Sequence, residues 1–313
     1  MWGFILRHVA IGLTTIFLII TGMFVLIRLV PGDPAEVMLA DYATPELIEL
    51  VKAKWGLDQP VFTQYMVYIK HILKGDLGHS FRRKVPVSKL ITRHYPFTLR
   101  LVILSTIISL LIAIPAGIFA AVRQNSYRDM LVMIFSFFFI SVPSFWLGLV
   151  ILFIFSFRLR WFPAIGGESG GNFLSYVSYL VLPSMCLGVQ LAGMLSRMVR
   201  STMIDTLSKE FIIVLRSKGI SENIIRYKHA LRNALPPILS LVGVGFVLSL
   251  GGAVVVEVVF SRPGLGRLYV EAVASRDYPL IQGCMLIISI GVVAVHMIIE
   301  LLYGLIDPRI RYN

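Results

Sequence analysis

The chain has 313 residues, of which 57% are hydrophobic and only 15% charged, with a mean hydropathy of +0.82. Soluble domains carry roughly 45–50% apolar and about 25% charged residues, so composition argues against a soluble enzyme or nucleic-acid-binding domain. The formal net charge of +12 then belongs to membrane-flanking loops. Cys186 and Cys284 both fall in apolar runs, which offer neither a disulfide framework nor zinc-ligand spacing.

A bilayer core about 30 Å thick needs roughly 20 helical residues, because each residue rises about 1.5 Å. Six stretches qualify: 9–27, 101–122, 130–157, 173–196, 233–256 and 278–299, none with Asp, Glu, Lys or Arg. The expected fold is all-α: a polytopic membrane protein of six transmembrane helices. The uncharged run of the first stretch exceeds the about 7–15 apolar residues of a signal peptide and reads as a retained span. The third stretch is long enough to tilt or to include an interfacial end. Pro115, Pro143 and Pro183 lie inside spans two to four, where neighbouring helices can satisfy the carbonyls they free. The chain divides into an N-terminal helix (1–30), an extracytoplasmic segment (31–97) and a five-helix core (98–313).

Lys and Arg set the orientation. With the N-terminus inside, segments 1–8, 123–129, 197–232 and 300–313 hold 13 basic residues. The short outer loops 158–172 and 257–277 hold 2 and 3, and the long segment 28–100, with 11, is largely exempt from the rule. Both termini are expected in the cytoplasm.

Segment 31–97 reads as short amphipathic helices. Thr44 precedes Pro45 as an N-cap, and Leu47, Ile48, Val51 and Trp55 follow at helical spacing. Phe62, Tyr65, Met66, Ile69, Ile72 and Leu73 form a second stripe, placed at the outer mouth or in the interface.

Segment 197–235 carries eight basic residues against Asp205, Glu210 and Glu222, a net of +5. Its pattern is a helix over 204–218, a break at Gly219, and Ser221 capping a helix over 222–232. A short amphipathic helix projecting from a bundle suits a groove on a cytoplasmic partner, while a basic loop on anionic lipid accounts for the charge equally well.

Catalytic chemistry does not assemble. There is no Gly-Lys pair, hence no phosphate-binding P-loop. His296 and Glu300, four apart in span six, could be metal ligands or a proton relay but read more simply as a polar pair at a helix end. Glu257 with Arg262 and Arg267 reads as a boundary ion pair. Gly245, Ser249 and Ala253 recur every four residues and read as a helix-packing face. Ser141, Ser144, Gln190 and Ser249 are the polar candidates for a solute path.

In order along the chain stand Arg28-Leu29-Val30-Pro31-Gly32-Asp33-Pro34, Gly56-Leu57-Asp58-Gln59-Pro60, Gly75-Asp76-Leu77-Gly78-His79-Ser80 and Pro143-Ser144-Phe145-Trp146. They are followed by Arg216-Ser217-Lys218-Gly219, His229-Ala230-Leu231-Arg232-Asn233-Ala234-Leu235 and Pro263-Gly264-Leu265-Gly266-Arg267. Arg276-Asp277-Tyr278-Pro279 and Asp307-Pro308-Arg309-Ile310-Arg311 complete the series. With these strings the chain resembles, over essentially its whole length, the first of two permease subunits of bacterial ABC importers of the dipeptide/oligopeptide/nickel class.

The resemblance implies that 197–235 is the loop whose coupling helix seats in a cleft on an ATPase subunit, with Gly219 as its hallmark glycine. Arg216, Ser217, Lys218, Gly219, Ile220 and Ser221 are then the coupling residues. The family's Glu-Ala-Ala triplet is replaced by Ile213-Val214-Leu215, and Arg262 stands where many relatives carry Trp.

It further implies a non-enzymatic, pore-forming subunit of the inner membrane with no cofactor or metal of its own. A second permease, two ATPases that use ATP and Mg2+, and an extracytoplasmic solute-binding protein are the implied partners. Peptides are the first expected solute, with nickel, a metal chelate or glutathione as alternatives. A proton-coupled secondary transporter built on Glu257, His296 and Glu300 is the alternative of a different class.

Overall fold

The computed structural model describes residues 2–29, 35, 39, 44–164 and 173–306. Their regular elements are helices: α1 (Trp2–Leu29), α2 (Pro45–Trp55), α3 (Val61–Leu73), α4 (Val87–Val122), α5 (Tyr127–Ser141) and α6 (Ser144–Arg158). After them come α7 (Phe173–Leu207), α8 (Glu210–Ser217), α9 (Glu222–Val259), α10 (Leu265–Ala274) and α11 (Tyr278–Ile306). α6 ends in a π-helical stretch, Leu152–Arg158, and α9 contains another, Ile225–Ala230. Among the described residues five helices are long and apolar enough to cross a membrane, and α5 with α6 makes a sixth span if the two arms count as one.

The third predicted span is not one helix. α5 and α6 meet at an angle of 104°. Proline has no N–H to donate, and its ring pushes the preceding residue out of the helical region. Val142 accordingly sits at φ −75°, ψ 128°. Pro115 and Pro183 stay inside continuous helices, and so do Pro236 and Pro237. Two other boundaries move: α4 begins at Val87, well before the predicted span, and the helix expected over 204–218 is split at Ser208 and Lys209 into the end of α7 and α8.

The chain forms two compact units, Met1–Phe97 with Pro263–Ala294, and Thr98–Arg262 with Val295–Asn313. In the first, α1 hides its threonines by bonding Thr14, Thr15 and Thr21 to carbonyls four residues back, at 2.8–2.9 Å. Thr44 caps α2 as expected, accepting from the Leu47 N–H at 3.4 Å. The α3 stripe divides: Tyr65 reaches Thr21 at 2.7 Å and Tyr65 and Tyr68 pack on Phe24, whereas Phe62, Met66 and Leu73 remain exposed.

Two sequence strings almost 200 residues apart meet in this unit. Asp277, buried just before α11, accepts from the Ser80 hydroxyl and from the N–H groups of Phe81 (3.1 Å) and Leu280 (3.4 Å). The loop thus fastened packs on a core of Val87, Leu90, Ile91, Leu265, Leu268 and Cys284. On the same loop Asp76 accepts from the Gly78 N–H and contacts His71, both at 2.9 Å. The Gly78 bond first, and His71 second, hold its carboxyl below the usual range.

In the second unit α7 lies against α5, α6 and α9. Gly245 faces Leu191, and Ser249 and Ala253 are buried on the same helix, as the four-residue repeat of small side chains requires.

Candidate functional site

The segment between α7 and the π-helical turn of α9 is a surface structure built from local rules. Lys209 is extended and starts α8 without a side-chain cap. α8 closes on a Schellman turn: the Gly219 N–H bonds Arg216 O at 2.9 Å and the Ile220 N–H bonds Leu215 O at 3.2 Å. This needs a left-handed residue, and Gly219 has φ +73°. The expected break is therefore the motif's own geometry. Ser221, expected as a cap, has the backbone of one but makes no side-chain cap bond.

Two isoleucines anchor the segment. Ile212 and Ile225 are fully buried against Ile118, Val199, Met203, Ala234 and Ile238, with Leu215 and Ile220 packed at the edge. Burying each contributes about 1.5–3 kcal/mol. The opposite face is open: Ile213 (61% exposed), Val214 (50%), Ile224 (47%) and Tyr227 (59%) show apolar area to the outside, with Phe211 beside them. Lys218 and Ser217 stand exposed at the turn. Arg216 bonds Glu222 through Nε at 2.7 Å, and Arg226 lies 3.5 Å from the same carboxylate. Glu222 raises the Arg216 guanidinium above its ordinary pKa. The result is a rigid, partly apolar and basic knob joining the ends of two long helices.

A second constellation follows one face of α7. Cys186, Gln190, Gly193, Arg197 and Arg200 are spaced alternately four and three residues apart, which keeps them on one stripe. The Gln190 amide donates to Val142 O at 2.6 Å and the Cys186 thiol to Ser144 O at 3.4 Å. Both carbonyls flank Pro143, where the helix is broken. A Cβ on Gly193 would lie 2.6 Å from Ser136 O, so α5 and α7 are in backbone contact there. Arg197 covers the Phe137 ring at 4.4 Å. Arg200 closes the stripe with two bonds to buried Asp129, at 2.5 and 2.6 Å. Asp129 also accepts from the Asn125 N–H at 3.0 Å, while Ser126 caps the helix.

Of the four proposed path residues, Gln190, Ser141 and Ser144 gather at this bend, with Ser141 exposed; Ser249 lies buried on α9. Glu257 is buried and accepts from the Thr98 hydroxyl at 2.5 Å. Arg262 is buried, with Nη1 on Tyr179 O at 3.0 Å, and Arg267 pairs with Glu271 at 3.0 Å. His296 is exposed and Glu300 half-buried. The Asp307–Arg311 string and residues 30–34 lie outside the described residues. Sequence reading missed the Asp129–Arg200 bridge, for which the only signal was an acidic residue three positions after a capping serine.

Residues 113–312 match the family model described as "Binding-protein-dependent transport system inner membrane component", and residues 1–102 match the N-terminal membrane-component model of the same transport systems. The glutathione transport system permease protein GsiC of Salmonella paratyphi A is 38% identical over 313 residues, covering 100% of both chains. A Brucella suis relative that goes under the name of a peptide transport system permease protein is 38% identical over 314 residues, again covering 100% of both. Among solved structures, an inward-facing MetNI methionine ABC transporter aligns with a TM-score of 0.57 at 18% identity, over 70% of this chain and 97% of that one.

Proposed function

The chain belongs to the family of binding-protein-dependent transport system inner-membrane components and is a multi-pass permease subunit of an ABC importer; from that premise we propose that it forms half of a peptide-translocating pore driven through the 208–230 knob. A second permease completes the pore, a solute-binding protein delivers the cargo outside, and two ATPases hold the ATP and Mg2+. Both termini lie in the cytoplasm. The proton-coupled alternative falls with the family assignment.

The observation that carries this reading is the knob itself. Its buried Ile212 and Ile225 tie it to the cores of three long helices, while Ile213, Val214, Ile224 and Tyr227 stay outside with basic residues around them. A partner that grips the outer face moves the helices behind the inner face. ATP binding closes the ATPase dimer, the knob is carried along, and the pore exchanges the side to which it opens. The bend at Pro143, with Ser141 and Ser144 beside it and Gln190 bracing it, is the proposed polar stretch of the path, joined by Ser249.

Peptides are favoured because the full-length relatives named above are a glutathione and a peptide permease, and glutathione is itself a tripeptide. Nickel or a metal chelate remains the alternative cargo of the same architecture. The test is uptake of a labelled dipeptide by cells carrying Gly219→Pro. Proline cannot reach φ +73° and lacks the N–H that bonds Arg216 O. The expected result is lost uptake and lost ATPase co-purification at normal abundance in the membrane; normal uptake would remove the knob from the mechanism. Unlabelled glutathione and nickel, added as competitors to the parent strain, identify the cargo.

A further inference from the structure

A cavity of ≈ 800 Å³ lies in the first unit, between the end of α1, helices α2 and α3, the 76–81 loop and the start of α11. That volume falls within the roughly 300–1,000 Å³ of ligand pockets. Its walls are divided. Phe24, Ile27, Val67, Tyr68 and Leu286 make an apolar side, and Arg28 sits where this side meets the polar one.

Arg28 is half-buried. Its Nη1 bonds Phe24 O at 3.2 Å, its Nη2 bonds Gln64 Oε1 at 2.5 Å, and its Cζ lies 3.3 Å from the centre of the Phe24 ring. All are neutral partners, and among the described residues no carboxylate pairs with it. The cavity's acidic side chain, Asp76, is already engaged by His71 and the Gly78 N–H. A second cation, Lys52, lines the same cavity. A guanidinium removed from water without a counter-charge is costly, and an anion in the cavity offsets that cost.

The depth of the site says which anion. Arg28 is the penultimate residue of α1, whose membrane-crossing stretch runs Arg7–Leu29, so the guanidinium lies at headgroup level. α3 beside it leaves Phe62 (70%), Met66 (53%) and Leu73 (82%) exposed, the apolar face of a helix lying in the interface.

We propose that this cavity binds an anionic phospholipid, with the headgroup phosphate on Arg28 and an acyl chain along Phe24, Ile27 and Leu286. The lipid supplies the counter-charge that Arg28 lacks among the described residues and fills the space between α1 and the interfacial helices.

The test uses the whole importer, with all subunits, in detergent micelles containing phosphatidylglycerol or phosphatidylcholine, read by native mass spectrometry. The parent complex should retain phosphatidylglycerol over phosphatidylcholine by about tenfold, a factor set by a charge-assisted contact. Arg28→Gln should abolish the preference and Arg28→Lys should keep most of it. Val67→Trp, at a half-exposed position, should exclude both lipids while leaving Arg28 in place. An unchanged preference in Arg28→Gln overturns the proposal. If that variant fails to assemble, unchanged retention in Val67→Trp overturns it alone. Displacement of phosphatidylglycerol by millimolar inorganic phosphate would assign the anion to solution and overturn the lipid assignment.

Discussion

The stripe of α7 and the knob that follows it hold charges in opposite ways. Along the stripe, Asp129 is buried and Arg200 mostly so, the two joined by a pair of short bonds, and the carbonyls on either side of Pro143 each accept from an α7 side chain. At the knob, Arg216 and Glu222 are close to half exposed, and apolar side chains face outward. Buried pairs lose much when one partner is removed, whereas exposed pairs contribute little. The stripe is therefore built to persist and the knob to be gripped.

Five measurements sharpen or break that contrast. The largest effect is expected from Arg200→Ala, which strands Asp129 and should destabilise the complex by about 3 kcal/mol, read as thermal stability in detergent. The double variant Arg200→Ala/Asp129→Ala should recover part of the loss; no recovery would mean that the pair does not act as a unit. Gln190→Leu removes the donor to Val142 O and should cost about 1–2 kcal/mol while leaving the bend, which Pro143 imposes.

Gly219→Ala places a side chain at φ +73° where a Cβ meets nothing within 4 Å, so only backbone strain of about 1 kcal/mol remains. It should transport at reduced rate, unlike Gly219→Pro; equal loss in both would shift the role of Gly219 from turn geometry to direct contact. The smallest effects belong to exposed pairs. Glu222→Gln should change stability by about 0.5 kcal/mol or less. His71–Asp76, similarly exposed, is its titratable counterpart. Its carboxyl is lowered in the folded state, so its contribution is present above the ordinary aspartate range and lost as pH falls below about 4. Amide exchange of Gly78 should report that loss.

Helix identity was legible wherever uncharged length or a local cap decided it. Thr44-Pro45 start α2 as read, and Gly56, left-handed at φ +63°, closes it. Gly219 was legible because a Schellman turn is a six-residue affair. The break inside the third span was not legible because three prolines with the same sequence signature met different fates: Pro115 and Pro183 are tolerated inside helices, and Pro143 is not. The Val142 and Ser144 carbonyls beside the break meet Gln190 and Cys186 more than forty residues later, which no local pattern announces.

By itself, the sequence determined what depends on neighbours along the chain: apolar length, the all-helical class, the small-residue repeat of α9 and the left-handed turn at Gly219. Tertiary structure alone decided which polar groups meet. Asp129 with Arg200, Ser80 with Asp277, and Arg28 with Gln64 all depend on distances between helices. A helix can be read from its own period because its hydrogen bonds close within four residues. A polar group in an apolar surround is satisfied by whatever the fold brings near, and that is fixed only when the helices have packed.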